Sequence, residues 1–244
     1  MVNKIPSHQE CPVDVLLLGA IDTHLDYYER AKISPNAVTT CSIVCGIYSA
    51  YCILHRRFTH GALFFAAAYY FDCVDGKLAR KFNKVTVFGD YYDHFGDLFK
   101  LVIVMYAIHR VKPKAFRRVR HWFLLLATGM LLHLGVQERL YTATDSAATD
   151  SAATDSAAAQ SAAAQSAAAQ SAAFARTTSE SPSLNFFKYI IPKWVDPAKL
   201  IQFTKYIGCG TFMFIVFEYI MSLETDSTDA ETNTAESETN KTSC

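Results

Sequence analysis

The chain has no excess charge of either sign: 23 basic residues offset 23 acidic ones over 244 residues. A nucleic-acid binder needs a positive face against phosphate, so that class is excluded. Paired cysteine spacing is also missing. The seven cysteines, at 11, 41, 45, 52, 73, 209 and 244, include no C-x-x-C and are odd in number, so reduced, packing cysteines are expected rather than a disulfide frame or zinc site. No secretory leader is expected either. Met1 to Glu10 is polar, and the short apolar run Val13 to Leu18 leads into Asp22 and His24 instead of a small-residue cleavage site, so the N-terminus is expected to be kept.

Long stretches also lack large side chains. From Ala143 to Ala172 a five-residue unit repeats, first as A-T-D-S-A and then as A-A-Q-S-A. A period of five matches neither helix nor strand, so no fixed apolar face forms, and a disordered or fraying helical loop is expected over 142–183. The tail 225–244 is rich in Thr, Ser, Glu and Asn and reads as disordered. Its Asn240-Lys241-Thr242 sequon reads as a chance match. Without these two stretches roughly 180 residues remain, one domain's worth of chain.

What is present in that remainder is apolar sequence in long blocks. Residues 37–54 carry no charge, 59–79 none before Asp72, and 86–108 is apolar in its second half, Leu101 to Ile108. Further blocks run from Trp122 to Gln137 and from Tyr206 to Leu223, the last with a single acid, Glu218. A span needs about 20 mostly apolar residues, so the chain reads as an all-α, polytopic membrane helix bundle with five clear spans. The short apolar segment Phe186 to Ile191, followed by Pro192 and Pro197, is a candidate for a reduced sixth span or an interfacial helix. Residues 13–30 place Leu16, Ile21, Leu25 and Tyr28 near one face with acids opposite, which predicts an amphipathic helix on the membrane surface within an N-terminal segment 1–34. Pro35 ends it, and Asn36 is expected to cap the first span. The core is then 35–141, and 184–224 forms the C-terminal membrane part.

Chemistry concentrates in 72–97, DCVDGKLARKFNKVTVFGDYYDHFGD. Asp72, Asp75, Gly76 and Ala79 share one helical stripe at i, i+3, i+4 and i+7, and Gly89, Asp93 and Asp97 share another at i, i+4 and i+8. Two antiparallel helices packed through their glycines would bring four carboxylates together. Carboxylates that close repel one another strongly in a low dielectric unless a cation lies among them. Hard oxygen ligands select Mg²⁺, Mn²⁺ or Ca²⁺, and a carboxylate-held metal pair serves phosphoryl transfer. The small residues admit a nucleotide, and Arg80 with the nearby lysines is placed to meet its phosphates. Asp90 lies outside the i, i+4 row and reads as helix-start solvation, and His94 reads as a hydrogen-bonded histidine or a headgroup contact.

The run Asp72, Asp75, Gly76, Ala79, Arg80, Gly89, Asp93 and Asp97 resembles the signature of the class I CDP-alcohol phosphatidyltransferase family at all eight fixed positions, and Pro35-Asn36-x-x-Thr39 also looks like that family. The resemblance implies phospholipid biosynthesis. Asp72, Asp75, Asp93 and Asp97 would hold two divalent cations, Mg²⁺ or Mn²⁺, with Asp97 placed as the base that deprotonates the acceptor hydroxyl. Gly76, Ala79, Arg80, Gly89, Asn36 and Thr39 would line the nucleotide site. The donor would be a CDP-linked lipid or CDP-alcohol and the acceptor a small polar alcohol. Size favours CDP-diacylglycerol with inositol, glycerol phosphate or serine, whereas the Asp93-His94 pair resembles the choline and ethanolamine phosphotransferases, which act on diacylglycerol.

Basic residues are more numerous over 109–121 than over the turn 77–84, so the positive-inside count opposes a cytosolic turn. A cytosolic CDP-linked substrate requires that turn to face the cytosol, on the endoplasmic reticulum or another internal membrane in a eukaryotic host. His133, Gln137, Glu138 and Arg139 are weaker candidates for headgroup contacts. Tyr206, Gly208 and Gly210 suggest close helix packing, including packing between subunits of a homodimer. Two readings of another class stand beside the enzyme: a membrane cation carrier using Asp93, Asp97 and Glu218, and a catalytically dead scaffold.

Overall fold

The computed structural model describes residues 9–157, 182–184, 186, 189, 191–192 and 194–224. Helices follow one another: α1 (Pro12–Asp22), α2 (Leu25–Arg30), α3 (Pro35–Leu54), α4 (Phe58–Lys81), α5 (Val87–Val111), α6 (Pro113–Ala157), α7 (Pro197–Thr204) and α8 over 209–224. No strand occurs among the described residues. The protein is an all-α membrane helix bundle.

Among the described residues three stretches, Pro35–Leu54, Pro113–Leu140 and Pro197–Glu224, are long and apolar enough to cross a bilayer. Helices α4 and α5, of 24 and 25 residues, have the length, but acidic and basic side chains interrupt their apolar sequence at the end that carries the motif. Exposed Val44, Ile47, Leu63, Phe95, Leu98, Val102, Leu124 and Leu125 give the bundle an apolar outer surface.

Local chemistry sets the helix ends. Ser34, rather than Asn36, caps α3: its Oγ accepts from Ala37 N at 3.2 Å, and Pro35 follows at the first helical position. Proline suits that position because its missing N–H needs no partner there. The Thr86 hydroxyl caps α5 by accepting from Gly89 N at 3.0 Å. Asn83, at φ 54°, ends the tight turn after α4 in the left-handed region that asparagine tolerates.

The expected single helix over 13–30 is two helices broken at Thr23 and His24. Ile21 and Leu25 are fully buried, but Leu16 is 78% exposed. Asp14, expected on the water face, is buried against the bundle, where it accepts from Tyr69 Oη and from Gly210 N. Residues 142–157 continue α6 as helix, the outcome alanine propensity favours where no packing constraint opposes it. The remainder of the repeat, 158–181, lies outside the described residues, as do the tail 225–244, its sequon, and parts of the segment 186–191. The described part of 182–192 is irregular backbone with turn and 3-10 residues, and α7, which the apolar blocks did not predict, is an eight-residue helix at the start of the last apolar stretch. Residues 109–121 are not a loop: Lys112 alone separates α5 from α6.

The main core is built from Ala50, Ile53, Phe58, Ala62, Phe65, Val104, Ala107, Ile108, Phe123, Phe212, Val216, Ile220 and Leu223, which lie on α3, α4, α5, α6 and α8. A second core, of Ile21, Leu25, Val38, Val74 and Leu78, seals α1 and α2 onto α3 and α4. The first core holds the spans together and the second fixes the amphipathic segment beside the motif.

Candidate metal and nucleotide site

The two motif helices do not pack through their glycines. Helix α3 lies against both α4 and α5, while α4 and α5 make little direct contact. The glycines of α5 serve α3: a Cβ on Gly96 would come 2.8 Å from Ile43 Cδ1, and one on Gly89 would come 3.0 Å from Asn36 Oδ1. The gap between α4 and α5 is left to their carboxylates.

Asp72, Asp93 and Asp97 each offer an oxygen within 4.8 Å of the others. Asp75 is outside that group. It lies beside α3, where Thr39 Oγ1 donates to its Oδ2 at 2.5 Å with both residues buried. Asp72 and Asp97 lie nine and ten residues inside their helix ends, roughly 14 Å along the axis, so the cluster reaches deeper than a surface decoration. Asp93 Oδ1 is buried with no hydrogen-bond partner. Three convergent carboxylates, two of them with a buried oxygen that lacks a hydrogen-bond partner, Asp93 Oδ1 and Asp97 Oδ1, fit a hard divalent cation with oxygen ligands.

Sequence reasoning missed Lys100. Its ammonium lies 2.8 Å from Asp72 Oδ1, 2.6 Å from Asp97 Oδ1 and 2.5 Å from Ser42 Oγ. The signal was present: Lys100 follows Asp93 and Asp97 at i+7 and i+3, on the same helical stripe. Gly46 makes room for its stem, since a Cβ there would come 2.5 Å from Lys100 Cγ.

The lysines of the turn do not wait for phosphate. Asp22, Asp26 and Glu29 pair with Lys77, Lys81 and Lys84 at 2.5, 2.6 and 2.5 Å. Both sets step by four and then three residues, so the acids of α1 and α2 meet the lysines of α4 and of the turn after it in register. Lys81 holds the exposed Asp26 carboxyl below its usual range, through a hydrogen bond and charge. Arg80 is left over from this ladder. Its guanidinium folds back over Gly76, where a Cβ would come 3.1 Å from one terminal nitrogen, and its buried Nε has no hydrogen-bond partner. The Ala79 carbonyl accepts from Lys84 N at 2.8 Å and so helps close the turn.

The remaining expected contacts are engaged elsewhere. His94 Nδ1 lies 2.8 Å from both Asp90 O and Ser183 Oγ. Asp90 is not merely solvated, since its Oδ2 accepts from Ser183 N at 2.9 Å. Arg139 Nη1 donates to the carbonyls of Ile191 and Pro192 at 3.2 and 2.6 Å. His133 lies 3.1 Å from Thr204 Oγ1 and 3.0 Å from Gln137 Nε2, and Glu138 is buried. His133 and Arg139 thus join α6 to α7 and to the segment before it, and Gln137 donates to Glu10 Oε1 at 3.4 Å.

Gly208 and Gly210 pack within the chain rather than between copies. A Cβ on Gly208 would come 3.0 Å from Cys11 Cβ, and one on Gly210 would strike Asp14. Tyr206 is 59% exposed. Glu218 is exposed on α8, so it does not extend the aspartates into an ion path.

A model of the CDP-alcohol phosphatidyltransferase family matches residues 32–179. The match covers more than half of the chain and includes all four aspartates, so the chain belongs to the CDP-alcohol phosphatidyltransferase family. It is a phosphotransferase of phospholipid biosynthesis in a membrane. No curated protein and no solved structure matches it.

Proposed function

We propose that the protein transfers a phosphatidyl group from CDP-diacylglycerol to a small polar alcohol, inositol, glycerol phosphate or serine, and releases CMP. The observation that carries this reading is the convergence of Asp72, Asp93 and Asp97 within 4.8 Å around a buried, unpartnered Asp93 oxygen. Asp72, Asp93 and Asp97, with Asp75 beside them, would hold Mg²⁺ or Mn²⁺. When bound, such ions supply positive charge that offsets the negative charge of the pyrophosphate and of departing CMP.

The chain's own residues do the rest. Thr39 fixes the Asp75 carboxylate by hydrogen bonding. Gly76 lets the Arg80 guanidinium fold over its backbone, and Gly89 lets Asn36 of α3 approach α5, which would leave these two small residues to a flat base with Arg80 and Asn36 at its edge. Arg80, unclaimed by the ladder, is the cation available to a phosphate. Asp97 accepts the proton of the acceptor hydroxyl, and the alkoxide attacks the phosphorus of the transferred phosphatidyl group as CMP leaves. The apolar environment of the deeper aspartates keeps competing water away. The site faces the cytosol, where CDP-linked substrates are found, on the endoplasmic reticulum or another internal membrane if the host is eukaryotic.

The test is CMP release by the purified protein in lipid micelles, with CDP-diacylglycerol or CDP-choline, a panel of acceptors, and Mg²⁺ or Mn²⁺. Metal-dependent release with CDP-diacylglycerol and one alcohol is expected, and Asp72→Asn or Asp93→Asn should lower it by at least about a hundredfold. Release from CDP-choline onto diacylglycerol instead would replace the donor assignment. Undiminished release by both variants would overturn the metal site.

A further inference from the structure

The ammonium of Lys100 occupies a built position. It donates to Asp72 Oδ1 and Ser42 Oγ and forms an ion pair with Asp97 Oδ1. Ser42 Oγ in turn donates to Ala68 O at 2.7 Å, so its lone pairs are turned to the lysine. The stem fills the groove over Gly46, and Lys100 is only 5% exposed. A lysine takes such a place only where paired negative charge offsets its desolvation. The two carboxylate oxygens it holds belong to two of the three side chains that converge, while the third, Asp93, keeps an oxygen without a partner.

We propose that Lys100 is a tethered counter-cation: it holds Asp72 and Asp97 in place while the cluster carries no divalent ion, and it opposes the loading of that ion. This rests on the metal reading above. Without Lys100 the carboxylates lose their internal partner and repel one another, so the metal-free protein is less stable. The same change removes a positive charge beside the incoming cation, so metal binds more tightly. A lysine with a merely structural role would show the first effect without the second. Lys100 is thus a positioning residue acting through Asp72 and Asp97.

The experiment compares full-length wild type, Lys100→Met, Lys100→Arg and Ser42→Ala in detergent, by Mn²⁺ binding under electron paramagnetic resonance and by thermal unfolding with EDTA or Mn²⁺. Lys100→Met should bind Mn²⁺ at least about tenfold more tightly, unfold at lower temperature in EDTA, and gain more from Mn²⁺ than wild type does. Lys100→Arg, which keeps the charge, should stay near wild type. Ser42→Ala loosens the tether without changing charge and should move both readouts in the same direction by less, so it serves if Lys100→Met does not fold. Equal Mn²⁺ affinity in wild type and in the variants would overturn the inference and leave the metal reading standing. Absence of Mn²⁺ binding by wild type would overturn both.

Discussion

Thr39→Val isolates the contact between α3 and the acidic motif. Valine matches threonine in shape, so the change leaves no cavity and removes one hydroxyl. That hydroxyl donates to Asp75 Oδ2 at 2.5 Å, with both residues 3% exposed. A hydrogen bond to a charged group contributes about 1.5–3 kcal/mol, which corresponds to a fall in unfolding temperature of roughly 3–12 °C for a domain of this size. The larger effect should be functional. Groups that orient a metal ligand typically change metal affinity or activity by about 10–100-fold. Thr39→Val should therefore need more Mn²⁺ for half-maximal CMP release and turn over more slowly, while Thr39→Ser, which keeps the hydroxyl, stays near wild type. The assay is CMP release across a Mn²⁺ titration, with thermal unfolding of the same samples. An unchanged Mn²⁺ requirement and turnover in Thr39→Val would refute the claim that this hydroxyl positions Asp75.

Other perturbations probe the packing around the site. Gly46→Ala places a Cβ 2.5 Å from Lys100 Cγ, and overpacking of that kind typically costs about 1–3 kcal/mol; a thermal unfolding temperature equal to wild type would contradict it. Gly210→Ala should drive Asp14 away and loosen α1 from α8, seen as faster amide exchange over residues 12–22. Asp26 has a depressed folded-state value because of Lys81. Its contribution is present above the unfolded carboxylate value near about 4 and is lost as pH falls through the folded value; exposure and salt keep it small. The difference in unfolding temperature between wild type and Asp26→Asn should therefore shrink on acidification and in high salt, and a difference that grew would count against the ladder.

The helical class and the apolar blocks were legible in the sequence, because hydrophobic runs long enough to span a bilayer have few other uses. So was the motif: helical periodicity puts Asp93 and Asp97 on one face of α5, and the bundle brings Asp72 to them from α4. The rest depends on contacts between residues distant in the chain. Spacing within α4 and α5 suggested that their glycines meet, but the packing of the whole bundle places α3 against both. The basic residues of the turn looked available for phosphate because their partners, Asp22, Asp26 and Glu29, lie some 55 residues earlier. Lys100 shares a stripe with Asp93 and Asp97, yet its reach to Asp72 and Ser42 is a property of three helices together. Periodicity is local and survives in the sequence, whereas the pairing of buried charges is settled only when the bundle excludes water and each charge must find a partner.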